Sequence, residues 1–298
     1  MPAYGTLAST YHLIKKIKKG MFMYTLSNPR LLAAQLLVVL AFLLSGCAQK
    51  LENINDYNLL KVSDESFSLP ITYGLPLNSA SIPLKRTIRF YLEGDGRAWL
   101  SKKRPSSDPT PSNSLVLKLM QIDKTPAIYL ARPCQYHLNE KCKQYYWTEG
   151  RHDDVAVTTM NDAISKIKKR YDANFVELFG HSGGGAMAVL IAAKRSDVKG
   201  ITTVAANLDV PFFTKHHKIT EMKGSLNPID VADKIKNIPQ LHLAGGQDKV
   251  IPPFLIKRYI SKSASPCVAY EEFSGNSHHQ GWIDIWLDIS QRNTKCTE

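Results

Sequence analysis

Phe175-Val176-Glu177-Leu178-Phe179-Gly180-His181-Ser182-Gly183-Gly184 carries the strongest structural signal in the chain. The first five residues form an apolar run of strand length. Gly180 to Gly184 fits G-x-S-x-G, and the small residues from Ala186 to Ala193 continue as a helix. A strand, a sharp glycine-flanked turn and a helix would hold the Ser182 hydroxyl out of the fold. A free hydroxyl is a poor nucleophile and must be presented to a base. The glycines are expected to let the backbone take a strained turn. The helix start behind Ser182 would turn backbone N–H groups toward a developing negative charge. A phosphate-cradling loop is disfavoured, because no Lys-Ser/Thr follows the glycines.

Partners for the serine lie downstream. Leu241-His242-Leu243-Ala244-Gly245-Gly246 reads as a short buried strand entering a glycine turn, followed by Gln247-Asp248-Lys249-Val250-Ile251-Pro252-Pro253. Asp248 is the leading candidate acid; Asp209, after the preceding strand, is the second. The strand Val268 to Phe273 leads into Ser274-Gly275-Asn276-Ser277-His278-His279-Gln280-Gly281-Trp282. Adjacent side chains cannot both face one serine, so one of His278 and His279 would be the base. A metal site from these two with His216 and His217 has weak support: adjacent pairs point apart, and no HExxH or Cys/His spacing accompanies them.

Over roughly residues 85 to 290 the chain resembles the α/β-hydrolase superfamily, through GHSGGG, GGQDKVIPP and SHHQGW in that order. More narrowly, it is similar to bacterial envelope lipoprotein hydrolases. The resemblance implies a single α/β domain with a mainly parallel sheet, helices on both faces and the site at the strands' carboxyl ends. It also implies the order nucleophile, acid, base: Ser182, Asp248, His278. His278 is preferred over His279 because a His four residues before Trp recurs in similar hydrolases. Gly183 N–H and Asp95 N–H would form the oxyanion hole. The second comes from the loop Glu93-Gly94-Asp95-Gly96, which follows the strand Thr87 to Leu92 and has Glu-Gly where the family often has His-Gly.

At 298 residues, 44% hydrophobic and 21% charged, the chain is long enough for one large globular domain. Its net charge is +12. Residues 1–46 carry Lys15, Lys16, Lys18, Lys19 and Arg30 and no acid; removing these five of 38 basic residues leaves 33 against 26 acidic, a net +7. The remaining excess is scattered, which favours a solvated surface over a nucleic-acid site. The basic start, the apolar run Leu31 to Leu44 and small residues ahead of Cys47 read as a secretory signal. That run is shorter than the roughly 20 residues of a membrane span. Leu44-Ser45-Gly46-Cys47 resembles the bacterial lipobox, which implies a lipidated Cys47 as mature N-terminus; Ala48 by the same resemblance favours the outer membrane. The leader is long, so Met21 or Met23 are alternative starts to Met1. The expected organisation is a removed signal at 1–46, a lipidated end, tether and leading strands at 47–84, and the hydrolase domain at 85–298.

In an oxidising compartment the other four cysteines pair. Of three possible pairings, proximity favours Cys134–Cys142 and Cys267–Cys296. Along the chain, Lys102 to Asn113 reads as an exposed loop, and Tyr145, Tyr146 and Trp147 as loop packing more than pocket lining. Asn207 to Asn237 reads as the main variable insertion. The combined expectation is a lipid-anchored, periplasm-facing ester hydrolase with a small-molecule or lipid ester substrate. No metal or organic cofactor and no nucleic-acid partner are implied. A peptidase or amidase of the same fold is the first alternative, a non-catalytic binding lipoprotein the second, and a lipase acting on the adjacent bilayer a third.

Overall fold

The computed structural model describes residues 59–76, 87–101, 103–125, 127–292 and 295–296. Cys47, the segment read as a secretory signal and the alternative starts lie outside the described residues. Strands β1 (Leu59–Asp64), β2 (Ile71–Pro76), β3 (Thr87–Leu92), β6 (Ala127–Leu130), β7 (Phe175–His181), β8 (Val198–Val204), β9 (Gln240–Gly245) and β10 (Val268–Phe273) form one eight-stranded sheet. Its order is β1-β2-β6-β3-β7-β8-β9-β10. The pairs from β6 to β10 are parallel, while β1–β2 and β2–β6 are antiparallel. Both leading strands therefore belong to the same sheet as the strand that carries the serine. A small hairpin of β4 (Trp99–Ser101) and β5 (Arg104–Pro105) stands apart from it.

Period-2 alternation divides the strands between two cores. Phe90, Leu92, Ile128, Leu130 and Leu178 pack in the larger core with α2 (Asp154–Arg170), α3 (Gly183–Ala192) and α5 (Pro253–Ser263). Tyr91, Ala127, Tyr129 and Phe179 face the other way, against α1 (Leu115–Ile122) and α6 (Trp282–Ser290). The sheet is thus covered on both faces, as near-continuous apolar parallel strands require.

The helices start where the sequence caps them. Ser114 and Asp153 accept the N–H groups of Leu117 and Val155 at the starts of α1 and α2. Lys168, Lys169 and Arg170 sit in the last turn of α2, where the helix dipole favours cations. α3 is buried on every residue, so it runs through the interior behind the serine. Residues 207–237 hold α4 (Val210–His217) and a 3₁₀ segment over Pro228–Ile235. Disulfides join Cys134 to Cys142 and Cys267 to Cys296. Among the described residues no helix is long and apolar enough to cross a membrane.

The segment read as an exposed loop is partly buried: Lys103, Arg104, Ser107, Ser112 and Asn113 are exposed, but the residues between them are not all so. Ser106, Pro109, Thr110 and Pro111 are buried. Pro109 O accepts Arg97 N–H at 2.9 Å, so this segment backs the loop after β3. Its prolines lack N–H groups and therefore cost little to bury.

Candidate active site

Ser182 stands between β7 and α3 with φ 53° and ψ −120°. The strained residue of the turn is therefore the serine itself; its glycines serve close approach. A Cβ on Gly180 would lie 2.3 Å from Gly184 O, and one on Gly184 would lie 2.3 Å from Leu92 O. Only bare backbone lets the turn pack this tightly against the end of β3. Ser182 N–H donates to Val204 O at 2.9 Å, which ties the turn to β8.

The Ser182 hydroxyl donates to His278 Nε2 at 3.1 Å, and His278 Nδ1–H donates to Asp248 Oδ2 at 2.8 Å. A carboxylate can only accept, so this pairing sets the tautomer that leaves Nε2 able to take a proton. Asp248 Oδ1 accepts Val250 N–H at 2.7 Å and Ile251 N–H at 2.8 Å. The Asp248 side chain is 0% exposed and that of His278 9%. Each residue reaches the site from a loop past a strand end: Ser182 past β7, Asp248 past β9, His278 past β10.

Asp209 is elsewhere: it caps α4 through Phe212 N–H and pairs with Arg258 at 3.0 Å. His279 is exposed at the rim of the same pocket, while the ring beside the serine is that of His278. His216 packs on Phe254, and His217 Nε2–H donates to Val250 O. Tyr145 bonds to Asp153 and Trp147 is buried beside Cys134, so that cluster is loop packing.

Asp95 and Gly183 meet beside Ser182. A Cβ on Gly183 would lie 2.0 Å from Asp95 Oδ1, so the carboxylate lies directly over Gly183. Gly183 opens α3, and a first-turn N–H has no acceptor within its helix. Arg132 and Arg151 clamp the carboxylate at 3.0 and 2.6 Å. Burial by itself would raise the Asp95 pKa, but these two guanidiniums hold it well below the usual carboxylate range. Gln135 Nε2–H donates to Gly94 O at 3.1 Å, which fixes the same loop from the other side. Glu93 accepts from Ser114, Tyr129 and Gly94 N–H, and burial pushes its carboxyl up.

Sequence reading assigned no role to Arg132, Gln135 or Arg151. They carry no motif and converge only through the fold around Cys134. His181 lies inside the motif, and its Nε2–H donates to His278 O at 2.8 Å, steadying the loop that holds His278. Burial holds His181 well below the usual histidine range, so its ring is neutral. The cleft above Ser182 measures about 450 Å³ and is lined by Asp95, Arg97, Trp99, Arg151, Val250 and His279 among others.

No protein-family model and no curated protein sequence matches the chain. Solved structures do. The esterase Pf2001 of Pyrococcus furiosus is 11% identical with a TM-score of 0.56, over 80% of this chain and 91% of that one. Est1E from Butyrivibrio proteoclasticus is 13% identical with a TM-score of 0.54, over 78% of this chain and 96% of that one. The acylaminoacyl peptidase of Pyrococcus horikoshii is 12% identical with a TM-score of 0.56, over 80% of this chain but only 42% of the longer peptidase. Sheet order, helical layers and these likenesses agree: the chain has the α/β-hydrolase fold.

Proposed function

We propose that this protein is a serine hydrolase acting on carboxylic esters, held by lipid on Cys47 at the outer membrane and facing the periplasm. Residues 1–46 would be its removed signal. The single observation that carries the catalytic reading is the unbroken chain Ser182 Oγ–His278–Asp248, with a strained serine facing an open cleft.

In the reaction, Ser182 Oγ attacks the ester carbonyl while His278 Nε2 takes its proton. The oxyanion accepts from Gly183 and Asp95 N–H, donors typically worth roughly 3 kcal/mol of barrier each. His278 then protonates the leaving alkoxide, and water repeats the sequence on the acyl-enzyme. Asp248 holds the tautomer and stabilises the imidazolium throughout. The esterase neighbours favour an ester over an amide substrate; the peptidase neighbour keeps the amide as the second reading.

The test is labelling of the full chain in detergent with a fluorophosphonate, wild type beside Ser182→Ala, His278→Ala and His279→Ala. Labelling lost in the first two variants and kept in the third is expected. A folded wild type that never labels would sink the hydrolase reading in favour of a binding lipoprotein. Anchoring is read separately: incorporation of a palmitate analogue should vanish in Cys47→Ser.

A further inference from the structure

Three imidazoles meet at the pocket beside Ser182. One ring nitrogen each of His181, His278 and His279 lies within 4.8 Å of the other two. The ring centres stand 4.8, 5.2 and 4.6 Å apart. A histidine that binds a metal almost always donates its other N–H to a carbonyl or carboxylate, which orients the ring and leaves one lone pair for the ion. Two of these rings already have that arrangement. His181 Nε2–H donates to His278 O, and His278 Nδ1–H donates to Asp248, each at 2.8 Å. The remaining nitrogens are His181 Nδ1, beside Gly94 of the pocket wall, and His278 Nε2, which faces Ser182. The third ring, His279, is exposed at the rim.

We propose that His181, His278 and His279 form an inhibitory site for a divalent transition cation of the Zn²⁺ type. Zn²⁺ holds imidazole nitrogens at roughly 2.0–2.1 Å in a tetrahedron, which sets them about 3.3 Å apart. The three nitrogens now lie within 4.8 Å of one another, so the rings must close by up to about 1.5 Å to hold the ion. Three imidazole nitrogens with no oxygen ligand among them suit Zn²⁺ and disfavour the hard cations Mg²⁺ and Ca²⁺, which take oxygen ligands. Water fills the fourth position. The ion takes the His278 Nε2 lone pair that would otherwise accept the Ser182 proton, so the ion is a brake on the site and no part of its reaction. Inhibition rests on the proposed roles of Ser182 and His278; binding does not.

The experiment is calorimetric titration of Zn²⁺ into the full chain in detergent as Ser182→Ala, which removes turnover, and as Ser182→Ala/His279→Ala. One ion per chain is expected for the first protein, with no response to Mg²⁺. Losing a ligand should weaken binding at least as much as losing an outer partner does, roughly 10- to 100-fold. In parallel, Zn²⁺ should stop p-nitrophenyl ester hydrolysis by the wild type, EDTA should restore it, and His279→Ala should need correspondingly more Zn²⁺, each protein read against its own metal-free rate. No Zn²⁺ binding, equal binding with and without His279, or a Zn²⁺-loaded wild type that still turns over would each overturn the proposal. A wild type without esterase activity counts against the hydrolase reading alone, because the titration still decides the site.

Discussion

Ser182 has a backbone conformation that non-glycine residues rarely adopt, and such positions cost about 1–3 kcal/mol. Ser182→Gly and Ser182→Ala both delete the hydroxyl, but only glycine releases the strain, offset in part by its greater unfolded-chain entropy. Ser182→Gly is therefore expected to melt higher than Ser182→Ala by about 2–4 °C, the shift that 1 kcal/mol makes in a domain of this size. Equal melting temperatures would show that the turn is unstrained. Asp248 yields a second prediction. In Asp248→Asn the amide oxygen can keep the Val250 and Ile251 N–H bonds, but the NH₂ group faces His278 and forces the other tautomer. Ester hydrolysis should fall by roughly 10⁴-fold with the fold intact, by analogy with the same change in a serine protease triad. Steady-state kinetics beside a near-UV spectrum checks it.

At the level of elements, the site is a meeting of strand ends. β7 sends the serine turn upward, and Gly184 packs against the last carbonyls of β3 and the residue after it: an added Cβ would stand 2.3 Å from Leu92 O and 2.5 Å from Glu93 O. The Leu92 carbonyl belongs to a sheet strand, and the Glu93 backbone is tied to the sheet through its N–H bond to Leu130 O, so neither yields easily. Gly184→Ala should destabilise by about 1–3 kcal/mol, the usual cost of overpacking, in urea unfolding. It should also lower turnover, because the loop it pushes carries Asp95. An unchanged unfolding midpoint would refute the close approach. The Cys134–Cys142 bridge and Arg132, Gln135 and Arg151 form one brace behind that loop, built from the long connection between β6 and α2.

Across the whole molecule, buried neutral histidines make stability depend on pH. Burial pushes His152 and His242 down to about 3 and His181 well below its ordinary value. The unfolded chain then binds more protons than the folded one between about pH 3 and the unfolded histidine value near 6.5. Their contribution is complete above that value and is lost as the pH falls through the window. Urea midpoints should be level from pH 7 to 8 and decline from about pH 6.5 downward. His152 is a direct probe, since it is fully buried and burial is the largest cause of its shift, with Arg132 next. His152→Leu should make the acid limb shallower; a limb of unchanged slope would remove His152 from the account.

The class of fold is legible in the order of residues alone. Period-2 strands, the G-x-S-x-G turn and the run of small residues behind it are local patterns, and local sterics and apolar burial act on neighbours in the chain. The residue order also marked Ser182, Asp248, His278 and His279 as candidates, since each sits in a loop after an apolar strand, and it ordered the cysteines by their spacing. Which histidine stands beside Ser182, and that Asp209 caps a helix, emerge only in three dimensions. The same holds for Asp95 under two arginines, and for the burial of Ser106, Pro109, Thr110 and Pro111 within the Lys102–Asn113 segment. Those outcomes depend on distances between residues tens of positions apart, such as the 96 that separate Ser182 from His278. A hydrogen bond or an ion pair is set by such distances in space, and a sequence pattern carries only distances along the chain.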